Sequence, residues 1–272
     1  MLVVDSHCHT YPTWYEPIDT LKTAMSAVGV TQAVLTQFTG NSRNDYLLDA
    51  VRSDPTCFAA VVWLDWDNPR SAAELTALAD QGAAGLRVAP PEAGSQPTAA
   101  WQTAADLGIT ISTLGSAVDF IRPDFAKVVE SLPGLRIVIE HFGERRKAGL
   151  SHTIEAARQV FTLAKYENVY LKFHGLGEFC PRTRPSGGDD PFVRPIPGHL
   201  SEAFETFGPQ RLLWGSDWPT VSAREGYANS LRYPMDELRS IGATEDDLNA
   251  MFGGNARRLF ALDQPADVGG PA

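Results

Sequence analysis

The chain has 272 residues, 43% hydrophobic and 21% charged, with a net charge of −10. That balance is ordinary for a globular protein and excludes the broad basic face that nucleic acid requires. No run of about 18 apolar residues occurs, so no membrane-spanning helix is expected. The N-terminus has neither the basic stretch nor the long apolar stretch of a secretory signal, and a cytoplasmic location is expected. Cys8, Cys57 and Cys180 fall at no regular spacing. They read as reduced thiols, Cys8 as a small buried residue, and no disulfide framework is expected.

Along the chain, short apolar and β-branched runs alternate with longer amphipathic ones. Candidate strands lie at 2–5, 31–37, 57–64, 84–89, 108–114, 135–141, 168–174 and 211–217. Several are apolar almost throughout, as suits strands buried on both faces. Candidate helices fill 17–28, 42–53, 69–81, 98–107, 119–132, 151–166 and 198–207. The segment PRSAAELTALADQ at 69–81 is representative, with a proline near its start and Gly82 just past its end. Strand–helix alternation implies crossover connections and a parallel sheet. Eight such units in this length predict an α/β fold, a closed but distorted (β/α)8 TIM barrel. Extra C-terminal helices at 224–240, 244–252 and 254–261 are expected to cover the last barrel position. Residues 1–263 read as one domain and 264–272 as a flexible tail. The stretch 175–199 reads as a long loop over the barrel mouth, and a loop of that length is expected to be functional or disordered.

The chemistry concentrates at strand ends. The chain opens MLVVDSHCH, and in an extended strand Asp5, His7 and His9 share one face while Ser6 and Cys8 share the other. His141 ends the sixth run, His174 the seventh and Asp217 the eighth. Four of the six histidines and one aspartate thus occupy the end of the barrel where active sites are built. Neutral imidazoles with a carboxylate suit a borderline divalent cation. His152 and His199 lie on or beside helices and read as surface residues.

The D-x-H-x-H start, the I-x-H-F-G turn and the W-G-S-D-W-P strand end resemble the amidohydrolase superfamily. They are most similar to its small metal-dependent barrel hydrolases, related to dicarboxylate lactonases, sugar lactonases and carboxymuconate-semialdehyde decarboxylases. The resemblance implies that His7, His9, His141 and Asp217 surround one divalent ion, Zn2+ first, with Mn2+ or Fe2+ as alternatives. Runs four and five contain no lysine that a carboxylated bridge between two metals would need, which favours a single ion. His174 matches a catalytic histidine of the decarboxylases. In the superfamily the last two histidines usually follow strands five and six, whereas the runs here place them after six and seven. Either one run is not a barrel strand or this branch counts differently.

These residues predict a metal-dependent hydrolase of a small cyclic or carboxylated carbonyl compound, foremost a lactone. Asp217 is the expected general base and acid, and His174 polarises the carbonyl or moves a proton. The alternatives are a non-oxidative decarboxylase of an aromatic or muconate-type acid using His174, and a barrel that binds metal or metabolite without turnover. Arg87 at the end of the fourth run is expected to grip a substrate carboxylate, with an exterior position paired to a helix as the competing role. Trp63, Phe142 and Trp218 are expected as aromatic substrate contacts and Arg182 as a loop contact, with Arg145, Arg146 and Arg184 as further cations near the mouth. Trp214 reads as core, and Lys172 as an internal ion-pair partner of Glu140 or another acid. The expected partner is a small, anionic substrate, and a homodimer is a further expectation.

Overall fold

The computed structural model describes residues 1–66, 68–91, 99–144, 153–183 and 190–262. Its strands are β1 (Val3–Cys8), β2 (Val30–Thr36), β3 (Phe58–Trp63), β4 (Ala83–Val88), β5 (Thr110–Thr113), β6 (Ile137–Ile139), β7 (Val169–Phe173) and β8 (Leu212–Trp214). They form one parallel sheet in sequence order. The ring closes where β8 runs back to β1: Asp217 N donates to His7 O (2.8 Å) and His9 N donates to Trp218 O (2.7 Å). All eight predicted runs are barrel strands, so His141 does follow the sixth and His174 the seventh.

The outer helices are α1 (Ile18–Val28), α2 (Asp45–Ser53), α3 (Ser71–Asp80), α4 (Ala99–Leu107), α5 (Ala117–Phe120), α6 (Pro123–Ser131), α7 (Ile154–Phe161), α8 (His199–Phe207) and α9 (Tyr227–Ser240). The single helix expected at 119–132 is two. Arg122 is extended (ψ 138°) because it precedes Pro123, which begins α6 as its first helical residue. Helix α9 packs against α8 and α1, the last outer position expected for it.

The final helices do something else. Helix α10 (Glu245–Asn249), a π-helical turn at Ala250–Gly254 and α11 (Asn255–Leu259) turn under the barrel. Ala256, Leu259 and Phe260 join Val4, Val34, Val61, Val138 and Leu213 in one buried apolar cluster. This plugs the end opposite the strand C-termini. The close fit is visible at Gly253, where a Cβ would lie 2.1 Å from Leu2 O. The lower end is filled mainly by apolar side chains, with Thr110 Oγ1 donating to Leu259 O of the plug (2.5 Å). No helix among the described residues is long and apolar enough to cross a membrane.

Candidate active site

His7 and His9 face the upper barrel interior, but Asp5 does not share their face. The β1–β2 register shifts between Asp5 and Cys8, which turns Asp5 outward. Its Oδ1 accepts from His7 N (3.1 Å) and Ser216 N (2.8 Å), and its Oδ2 accepts from Ser216 Oγ (2.6 Å) and Tyr227 Oη (2.9 Å). Asp5 therefore ties β1, β8 and α9 together beneath the site. Gly215 completes this closure, since a Cβ there would lie 2.5 Å from His7 Cβ.

Four imidazoles converge. Ring centroids are 4.8 Å apart for His7–His9, 5.3 Å for His7–His141, 5.1 Å for His7–His174 and 4.1 Å for His141–His174. Hydrogen bonds select their tautomers. His9 Nδ1 donates to Thr36 O (2.6 Å) and His174 Nδ1 donates to Gly215 O (2.8 Å), because a carbonyl only accepts. Burial holds both rings below the usual histidine range, His9 at about 3, so each is neutral and keeps a lone pair on Nε2. His141 differs. Burial alone would lower it, but the Glu178 carboxylate on its Nδ1 (2.5 Å) raises it.

Asp217 closes the group. Its Oδ1 lies 3.8 Å from His9 Nε2 and its Oδ2 3.3 Å from Arg224 Nη1. Burial pushes its carboxyl up to about 6, against the pull of His141 and Arg224. His141 (φ 54°), Phe142 (φ 54°) and Asp217 (φ 61°) have left-handed backbones, as does Ala261 outside the site. Non-glycine residues there cost on the order of 1–3 kcal/mol and concentrate at functional positions.

The donor chemistry suits a divalent cation. A neutral Nε2 lone pair and a carboxylate oxygen 3.8 Å apart have no proton to share, and a cation between them satisfies both. His7 Nε2 and His174 Nε2 are buried without a partner. Ligand atoms of His7, His9 and Asp217 lie within 4.8 Å of one another. His141 and His174 with Glu178 form an adjoining group of the same kind. The carboxylate on His141 Nδ1 leaves its Nε2 available, the usual arrangement behind a metal-binding imidazole.

A cavity of about 600 Å³ opens over these residues, walled by His9, Trp14, Tyr15, Phe38, Arg87 and Leu114 and by His141, Glu178, Asp217 and Arg224. Tyr15 stacks on His9 with centroids 5.2 Å apart. The family model for amidohydrolases matches residues 4–262.

The chain belongs to the amidohydrolase family.

Within reach of this amidohydrolase are two L-fucono-1,5-lactonases. That of Burkholderia multivorans is 33% identical over 141 residues, 48% of this chain and 45% of the relative, so the match spans about half that protein's length. That of Burkholderia ambifaria is 26% identical over 265 residues, 90% of this chain and 85% of the other. A crystallised amidohydrolase from Burkholderia multivorans with bound zinc shares the fold at TM-score 0.76 and 22% identity, covering 97% of this chain and 100% of that one.

The remaining expected site residues separate. Arg87 reaches the cavity floor, but its Nε (3.2 Å) and Nη2 (2.7 Å) donate to Glu140 and its Nη1 donates to Gln37 O (3.1 Å). Glu140 pairs with Arg87 in this way, and Lys172 Nζ instead lies 3.2 Å from His7 Nδ1. Arg87 and Lys172 hold Glu140 far below the usual carboxylate range although burial opposes them. Phe142 is not a cavity wall: it is buried among Phe161, Phe173, Phe179 and His199. Trp63 ends β3 outside the cavity walls, and Trp218 packs edge-on against Tyr227 (5.6 Å). Arg182 donates to Ala223 O (3.0 Å), fastening the long loop to the turn after β8 and away from the cavity. Trp214 is core, as expected. His199 is buried against Phe179 (4.5 Å), not exposed. Arg145, Arg146, His152, Arg184 and the tail from Gln264 lie outside the described residues.

Sequence reasoning missed Glu178, Arg224, Trp14, Tyr15 and Phe38. All are on loops at the strand C-termini. Glu178 stands four residues after His174 and Arg224 seven after Asp217, short enough offsets to have been searched. The aromatic-rich TYPTWY directly after His9 was a comparable signal.

Proposed function

We propose that this amidohydrolase is a zinc-dependent lactonase acting on a small cyclic ester. The carrying observation is the facing pair of His9 Nε2 and Asp217 Oδ1 at the floor of the cavity. The lactonase relatives support the reaction class. His7, His9, His141 and Asp217 would hold the ion. Bound there, a divalent cation supplies a Lewis acid for the carbonyl oxygen and lowers the pKa of a coordinated water.

The chain's own groups handle the proton. Ionised Asp217 takes it from the attacking water as oxygen bonds to the carbonyl carbon. It returns the proton to the ring oxygen as the C–O bond breaks, leaving a hydroxy acid. Arg224 Nη1 lies 3.3 Å from Oδ2, and Oδ1 faces His9. The loop bearing Trp14 and Tyr15 supplies an aromatic wall for the ring.

The two arginines that line the cavity are matched by carboxylates of the protein itself. Arg87 is matched by Glu140, and Arg224 stands among Asp217, Glu178 and Glu225. This favours a neutral lactone over a carboxylated one. His174 likewise argues against decarboxylation, which needs a proton delivered to the carbon that loses CO2. His174 Nδ1 donates to Gly215 O and burial keeps the ring neutral, so Nε2 carries no proton to deliver.

The test uses zinc-loaded protein, with neutral aldono-1,5-lactones, L-fucono-1,5-lactone among them, beside aromatic acids. Ring opening with stoichiometric acid release, reduced at least about 1000-fold in Asp217→Asn, is expected. CO2 release without ring opening would replace the proposal by the decarboxylase reading.

A further inference from the structure

The loop after β7 and the loop after β8 carry an arrangement that the hydrolytic reading does not by itself require. Arg224 is buried, with its side chain 6% exposed. Its Nη1 stands between two carboxylates, 3.3 Å from Asp217 Oδ2 and 3.8 Å from Glu178 Oε1. The same Glu178 oxygen accepts from His141 Nδ1. One guanidinium nitrogen therefore lies at the centre of a chain, His141–Glu178–Arg224–Asp217, that spans the site from the end of β6 to the end of β8.

Arg224 Nη2 donates to Ser216 O at 3.5 Å, and a carboxylate stands beside its Nε. Its Nε lies 3.8 Å from Glu225 Oε2. The Glu225 carboxylate rests on Gly175 and Gly177, where a Cβ would come within 1.7 Å and 1.8 Å of its oxygens. A Cβ at either position would displace that carboxylate. The sequences HGLGE (174–178) and AREGY (223–227) thus form two halves of one device.

We infer that Arg224, seated by Glu225 on Gly175 and Gly177, is a positioning residue that fixes the carboxylate of Asp217 and, through Glu178, the ring of His141. Asp217 needs such a hold. It stands on a strained backbone at φ 61°, and its Oδ1 must face His9 Nε2 for the two to share an ion. With Oδ2 on Arg224, Oδ1 is turned to His9 Nε2. Without Arg224 the carboxylate is free to rotate about χ2, and Glu178, which orients His141, loses a cation beside it.

The inference rests on the lactonase reading for its kinetic arm and is independent of it for its zinc arm. Arg224→Met, Arg224→Lys and Glu225→Gln are compared with the parent protein. Zinc affinity is measured by chelator competition, kcat and KM with a neutral aldono-1,5-lactone, and folding by near-UV circular dichroism. Removing a group that orients metal ligands costs about 10–100-fold in affinity or activity. Arg224→Met is expected to lose that much in zinc affinity and in kcat, with KM within about twofold. Arg224→Lys is expected to recover part of both, since an ammonium replaces the charge but not the fork. Glu225→Gln, which keeps the side-chain volume and does not line the cavity, is expected to move the same two quantities less far, and it carries the test if Arg224→Met does not fold.

A rise in KM alone, with kcat and zinc affinity at parent values, would make Arg224 a direct substrate contact and overturn the inference. Parent values throughout would overturn it as well. If no lactone is turned over by the parent, the zinc affinities still decide between holding and not holding the ligands, and only the reaction assignment falls.

Discussion

Arg87→Leu separates a substrate-gripping role for Arg87 from a structural one. The guanidinium is 6% exposed and bidentate on a Glu140 carboxylate that is fully buried. Glu140 keeps one other neutral donor, Ser112 Oγ at 2.7 Å. Removing one member of a buried pair costs about 3–5 kcal/mol, here with Lys172 left as a nearby cation. At roughly 2–4 °C per kcal/mol for a chain of this size, the melting temperature should fall by about 6–20 °C. The sign of the pH dependence follows from Glu140. In the parent its pKa is depressed, so its contribution is present above the unfolded value and lost only as pH falls far below it. In the variant, burial acts with less opposition and raises the Glu140 pKa relative to the parent. The variant's deficit should therefore be larger at pH 8 than at pH 4. Calorimetry and urea unfolding of zinc-free protein measure both quantities. The double variant Arg87→Leu/Glu140→Leu should regain much of the loss, because an apolar pair leaves no charge stranded. An Arg87→Leu protein within 1 kcal/mol of the parent, with KM raised only for carboxylated lactones, would refute the structural role.

Phe142→Ala should cost about 3–5 kcal/mol in urea unfolding, because the ring is 1% exposed and packed among other aromatics; unchanged stability with altered KM would return it to the substrate wall. Gly215→Ala drives a Cβ into His7 and should weaken zinc binding in chelator competition while the far-UV spectrum of the barrel persists. Trp14→Ala should leave stability within about 0.5 kcal/mol, since the indole is 71% exposed. Its measurable effect is a several-fold rise in KM for ring substrates, and an unchanged KM would remove Trp14 from the binding surface.

Much of this architecture was legible in the chain. Strand and helix periods are local properties, so the apolar runs from Val3 to Trp214 could be read in order and their parallel pairing followed from the intervening helices. Placing His7, His9, His141, His174 and Asp217 together needed only one further step, because a closed barrel brings the C-terminal strand ends to one place.

What the chain did not show is which groups pair once there. Asp5 reads as a third residue on the His7–His9 face, yet one register shift in β1 turns it toward Ser216 and Tyr227, more than 200 residues away in sequence. Arg87 reads as a free strand-end cation, and only the convergence of β4 and β6 supplies Glu140. Glu178 and Arg224 sit on loops with no periodicity, where backbone path and not pattern decides direction. The C-terminal helices could be recognised as helices, but their apolar residues plug the barrel because its lower end is the surface left uncovered. Local sequence sets which faces are apolar and where strands end. The partner of a buried charge is set by whichever distant group arrives within a few ångströms of it, and only the tertiary structure decides that.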